Sequence, residues 1–317
     1  MRTQLANVLR GAALGVVELV PGVSAGTLAL VLGIYGRLVE AVANTVDLLR
    51  ALFGRAKVVP AAREVPWAFI AALAAGMAAA VLGFSRVVAL LIERYPGQLL
   101  GFFFAAVLVS SLLPLRRVGR WRLAQVAAVA TAAAATFLAL GVGNPSGAAA
   151  RPELWYLALS GAISASVMIL PGVSGSFMLL LLGAYPYVID QIRAFPDSST
   201  WLPLLVFAAG AALGVSLVAG GLRRLLARAP SVTYAALAGL MLGSLRRLWP
   251  FLADPTGAAA SHNLATAPRL PVAELHTLPD GARLPIIVAA VVGAAVAAFG
   301  VWLAQRSGES ATSTSGI

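Results

Sequence analysis

The sequence predicts an all-α integral membrane protein built as an inverted repeat, each half one re-entrant helical hairpin plus three transmembrane helices. Three observations predict it. Apolar stretches dominate the chain, one short motif occurs in both halves, and basic residues gather in the loops between apolar stretches.

Hydrophobic residues make up 60% of the 317 and charged ones only 11%, with a mean hydropathy of +0.90, a balance that excludes an ordinary soluble domain. Stretches 67–92, 97–115, 122–143, 201–222, 231–248 and 284–304 each come near the roughly 20 residues that cross a bilayer as a helix. Backbone inside lipid must satisfy its own hydrogen bonds, and none of these stretches alternates like a barrel strand, so they read as helices. Two longer stretches, 5–35 and 152–189, carry Pro-Gly in their middle. As one helix, 5–35 would reach about 46 Å, too long for a hydrocarbon core of ~30 Å. Two legs that go in to mid-depth and return fit better. The first apolar stretch is too long, and holds Glu18, so it does not read as a cleavable signal peptide.

The loops give the orientation. Arg37, Arg50, Arg55, Lys57 and Arg63 lie in 36–66, and Arg116, Arg117, Arg120 and Arg122 lie two spans later, so both loops are expected in the cytoplasm. The neutral 144–151 segment then falls outside. If 152–189 dips in and returns, Arg223, Arg224, Arg228 and Arg306 fall inside, while Arg246 and Arg247 sit near the outer face. Within 36–57, Leu38, Val42, Val46, Leu49 and Phe53 share one face, as in an amphipathic helix lying on the membrane surface. The expected division is 1–143 for the first repeat, 152–306 for the second and 307–317 for a disordered tail.

The net charge of +11 does not indicate nucleic acid, because the arginines sit in short loops where they set topology and meet lipid head groups. There is no cysteine, and His262 and His276 have no metal-ligand spacing, so no metal and no cofactor are expected.

The repeat carries the chemistry. LVPGVSAGTLALVLGIY at 19–35 and ILPGVSGSFMLLLLGAY at 169–185 share eight of seventeen positions, and Trp67, Gly76 and Arg94-x-Pro96 find counterparts at Trp201, Gly210 and Arg228-x-Pro230. Three spans per half is an odd number, so the second half inserts upside down. Inverted repeats whose broken helices meet at mid-depth are a common architecture of secondary transporters. Pro21 and Pro171 break the helix, and Gly22 and Gly172 allow the reversal. Ser24 and Ser174 are placed to cap the outgoing legs 25–35 and 175–185, whose unpaired N–H groups favour an anion. Val23, Ala25, Gly26 and Thr27 in the first copy, and Val173, Gly175 and Ser176 in the second, complete a candidate substrate site, with Thr27 and Ser176 offering hydroxyls. Glu18 precedes the first tip and has Met168 as its counterpart. An ionisable group at membrane depth points to function, here proton coupling, although it could equally brace the hairpin. Arg86, inside the 67–92 span, could counter an anion or snorkel to head groups.

The doubled PGVS, with Glu18 ahead of the first copy and Gly-x-Tyr closing both, resembles the bacterial polyprenyl-phosphate transporters (PopT-like proteins) from about residue 5 to 304. The resemblance implies translocation of undecaprenyl phosphate across the cytoplasmic membrane for recycling of the cell-wall carrier, by a protein that is not an enzyme. Its partners would be that lipid and the surrounding membrane lipids. The family pattern expected in the first copy is PGVSGGT. Here Ala25 replaces one Gly, and Ser176-Phe177 stands in the second copy where Gly-Thr would. ELVPGVS is also similar to the first motif of undecaprenyl-pyrophosphate phosphatases, but Leu14 stands where those carry a second Glu and Gly175 where they carry Arg. A transporter of a small soluble anion remains a third reading.

Overall fold

The computed structural model describes residues 2–20, 24–53, 58–140, 152–194, 197–252, 270–277 and 280–313, and among these there is no β-strand. Pro21, Gly22, Val23, residues 54–57, the 144–151 segment, His262 and the end of the tail, 314–317, lie outside them.

The first half runs α1 (Arg2–Glu18), α2 (Ala25–Val31), α3 (Tyr35–Phe53), α4 (Val58–Glu64), α5 (Trp67–Arg94), α6 (Pro96–Ser110), α7 (Leu112–Arg116) and α8 (Leu123–Ala139). The second runs α9 (Leu154–Met168), α10 (Gly175–Leu181), α11 (Tyr185–Ala194), a 3₁₀ turn at Ser198–Thr200, α12 (Trp201–Arg228) and α13 (Pro230–Leu248). A second 3₁₀ turn, Val272–Thr277, precedes α14 (Asp280–Ser313).

Local chemistry explains the shared punctuation. Pro96 and Pro230 each open a helix at its first position, where a missing N–H costs nothing. The residues before them, Tyr95 (φ −136°, ψ 45°) and Ala229 (φ −140°, ψ 57°), adopt nearly the same non-helical backbone. The Gly-x-Tyr signature is a helix stop. Gly33 (φ 68°) and Gly183 (φ 69°) take the left-handed conformation. Gly33 N–H then donates to Leu30 O and Ile34 N–H to Ala29 O, as Gly183 and Ala184 donate to Leu180 O and Leu179 O. The outgoing legs are therefore seven residues each, Ala25–Val31 and Gly175–Leu181, shorter than the 25–35 and 175–185 expected. Tyr35 and Tyr185 open the next helices, and α11 leaves α10 at 111°.

Among the described residues, four helical stretches are long and apolar enough to cross a membrane: Trp67–Arg94, Pro96–Arg116, Ser198–Arg228 and Arg283–Trp302. The 122–143 stretch yields the shorter helix Leu123–Ala139, and 141–143 lie outside the described residues. The 231–248 stretch is helical but ends in Arg246 and Arg247 and is buried through much of its length by α6 and α8, at Thr233, Leu237, Met241 and Ser244 among others. No proline follows Pro285 in α14, and the helix continues past residue 306 to Ser313, into the stretch expected to be disordered.

Small residues bring backbones together. Gly15 of α1 lies against Met77 and Ala80, near the middle of α5, and Gly76 of α5 lies against the Val8 carbonyl. In the second half Gly161 of α9 meets the Phe207 carbonyl, and Gly214 of α12 meets the Ala162 carbonyl and Ser166. Glycine in the same way joins α6 to α14 (Gly293 against Phe102) and α8 to α13 (Gly239 against Val129). The central core packs Leu14, Leu30 and Tyr35 with Phe69, Leu100 and Met241. Large apolar side chains such as Leu82, Leu205 and Val291 point outward on α5, α12 and α14. Such a surface suits lipid, not water.

Candidate functional site

The two PGVS stretches meet. Ser24 Oγ donates to the Leu170 carbonyl at 3.3 Å, and Gly172 N–H donates to Thr27 Oγ1 at 2.9 Å. Tyr35, buried at the start of α3, donates to the Ile169 carbonyl at 3.2 Å. Ser24, Thr27 and Ser174 are buried here. A Cβ at Gly26 would lie 3.3 Å from the Ile169 and Leu170 carbonyls and from Pro171 Cα. Gly172 has φ +91°, and a Cβ there would come within 2.8 Å of Met241 Cα on α13, so only glycine fits on both counts. Pro171 and Val173 are buried beside it.

Capping differs between the copies. Ser174 accepts from Phe177 N–H at 3.5 Å and exchanges a hydroxyl–hydroxyl bond with Ser176 at 2.9 Å. Ser24 sits at the N-cap of α2 but makes no side-chain cap there; its hydroxyl donates to Leu170 instead of accepting from the first turn of α2. The cap comes from Glu18, whose Oε1 accepts from Ala25 N–H at 3.2 Å. The N–H groups expected to be free for an anion are thus partly held by the protein's own Glu18 and Thr27.

Beside this crossing lies a cavity of about 530 Å³. Its walls come from α1 and α5 on one side and α9 and α12 on the other, with α3 along its length. Glu18 and Ala25-Gly26 close one end, next to Met168, the repeat counterpart of Glu18. Leu38, Val42, Val46 and Leu49, the apolar face of α3, line the cavity. Arg223 of α12 holds that helix through Asp47 at 2.9 Å and Asn44 at 3.2 Å.

Arg86 stands apart: it is exposed on α5, beyond the level of Met77, and does not line the cavity. A different arginine approaches the second copy. Arg247 of α13 lies 4.7 Å from the Phe177 ring, immediately after Ser176. Sequence reasoning left it at the outer face; the signal available was an Arg pair ending a small-residue helix. Among the described residues no cluster of three or more His, Cys, Asp or Glu side chains could hold a metal.

A helical multi-pass membrane protein, with a polar crossing of helix breaks beside an apolar cavity, is the class these features define. The chain belongs to the VCA0040-like family, described as undecaprenyl phosphate translocase-like, whose profile matches residues 14–265 and so spans Glu18 and both PGVS copies. It is also 32% identical over 247 residues to the polyprenyl-phosphate transporter of Vibrio cholerae serotype O1, covering 78% of each chain. No solved structure matches it significantly.

Proposed function

We propose that the protein moves undecaprenyl phosphate, a polyprenyl-phosphate lipid carrier, across the bacterial cytoplasmic membrane and so recycles the carrier for cell-wall synthesis. The observation that carries this reading is the apolar cavity ending at the crossed PGVS turns, in a chain of this family. Moving a phosphate unaided through hydrocarbon costs on the order of tens of kcal/mol. Polar groups at mid-depth lower that barrier while apolar walls accept the lipid. A small soluble anion would need a wetted route, and these walls offer almost none.

The architecture in this reading is the inverted repeat, 1–143 against 152–306, with each PGVS turn re-entrant. The packing of Gly15 and of Ser166 against the middles of α5 and α12 supports it, as does the matched punctuation of the two halves. The substrate phosphate is held by Ser24 to Thr27 and Pro171 to Ser176, joined by Pro21 to Val23. Glu18 then competes with the phosphate for Ala25 N–H. Protonation of Glu18 frees that donor, which links uptake of phosphate to uptake of a proton.

Two measurements test this. Purified protein in bacterial phospholipid vesicles should speed the leaflet exchange of undecaprenyl phosphate well above that of protein-free vesicles, and should release no inorganic phosphate from undecaprenyl pyrophosphate. Equal exchange with and without protein ends the reading. Single cysteines at Gly147 and Asp197, in a chain with none of its own, should be labelled from the same side. Labelling from opposite sides removes the re-entrant 152–189 segment.

A further inference from the structure

We infer that the cavity is a binding site for the phosphate-proximal part of an isoprenoid chain, holding about four isoprene units with α3 as its long wall. This rests on the polyprenyl-phosphate reading above and adds a site and a length to it. The polar groups of the lining leave little choice. Tyr35 gives its hydroxyl to Ile169 and Thr45 gives its own to the Ala41 carbonyl, so both are turned to protein partners. Glu18 is left as the polar group, and it stands at one end beside Ala25 N–H. The space is therefore shaped for an amphiphile whose head lies at the PGVS crossing and whose body runs along Val42 and Val46 on one side and Ala165 and Ala212 on the other. A volume of about 530 Å³ exceeds what a phosphate group needs. At interior packing density an isoprene unit takes on the order of 100 Å³, which leaves room for roughly four. The rest of a longer chain has to leave between the helices into lipid.

Such a chain gains nothing from the hydrophobic effect on leaving lipid for the cavity, so its affinity comes from packing against the walls. Filling the walls should therefore expel it. The experiment uses the full-length protein in lipid nanodiscs and undecaprenyl phosphates carrying a photoreactive diazirine on either the second or the ninth isoprene unit. The second-unit probe is expected to label cavity residues such as Val42 and Ala212, and the ninth-unit probe the outward side chains Leu82 or Leu205. Ala212→Trp and Val42→Trp, each checked for monodispersity, should cut second-unit labelling at least tenfold. The inference is overturned if the second-unit probe labels the outer face as the ninth does, or if both variants fold and label as the parent does. It is also overturned if a phosphatidylglycerol acyl-chain probe labels the cavity and excess undecaprenyl phosphate does not displace it. Vesicle exchange separates this from the parent reading. Exchange without second-unit labelling removes the chain site alone, whereas cavity labelling without exchange removes transport and leaves the chain site standing.

Discussion

The two PGVS turns start from the same residues and end with different partners. In the second, Ser174 caps its own helix; in the first, Ser24 reaches across to Leu170 and Glu18 takes over the cap of α2. The difference continues downstream. Tyr35 is buried and bonded to Ile169 at the head of the 19-residue α3, whereas Tyr185 is partly exposed at the head of the 10-residue α11. Ser24 and Ser174 thus share an extended N-cap backbone, and their neighbours decide what each side chain does. The second turn caps its helix from within its own motif. The first takes its cap from Glu18, a carboxylate that also lines the cavity.

The comparison breaks most completely at Gly172. Gly172→Val forces a branched side chain into φ +91° and against Met241, at a cost of roughly 2–5 kcal/mol. It should abolish vesicle exchange and lower the melting temperature in detergent; normal exchange would mean the second turn is no part of the site. Glu18→Gln sharpens the contrast at the first turn. The neutral amide does not repel the phosphate and competes for Ala25 N–H less strongly than a carboxylate does. Polyprenyl-phosphate binding and passive exchange should therefore persist, while acceleration by an imposed proton gradient disappears because nothing there titrates. A variant that still responds to the gradient would reduce Glu18 to a cap.

Next in size is the serine pair. Ser174→Ala should cost about 1 kcal/mol through loss of the α10 cap. Ser24→Ala leaves α2 capped and should cost about 0.5–1 kcal/mol through the lost bond to Leu170. A double-mutant cycle tells them apart: Ser24→Ala should couple with Thr27→Val, which cuts the neighbouring bond to Gly172, and Ser174→Ala with Thr27→Val less so. The smallest effect is expected at Arg86. Arg86→Ala should change stability by no more than about 0.5 kcal/mol and leave exchange intact. A tenfold loss of exchange would bring Arg86 back to the phosphate.

Much of this was legible in the residues. The apolar runs announced α5, α6, α12 and α14, and the doubled PGVS singled out the turns that meet. The ends of the outgoing legs were legible in principle, since a Gly followed by an apolar residue after seven helical positions is a stop signal; the apolar run through Tyr35 and Tyr185 masked it. Two features were not legible. The exchange of caps depends on Leu170 lying within reach of Ser24, a contact 146 residues away in sequence. The cavity depends on α3 packing against α12, beside which Arg223 meets Asp47, so that the apolar face of α3 lines the cavity. Periodicity shows that a helix has an apolar face, not which partner will cover it.

The glycine contacts between α1 and α5, and between α9 and α12, have a mechanical consequence. Where backbone lies on backbone, a fraction of a turn of sliding drives a carbonyl into the space a side chain would otherwise occupy. Each pair is therefore stiff in shear. The seam between the pairs is not: α3 spans it, and an exposed ion pair from Arg223 to Asp47, of a kind worth at most about 1 kcal/mol, fastens it there. A joint closed by side chains along α3, not by backbone on backbone, runs alongside the cavity.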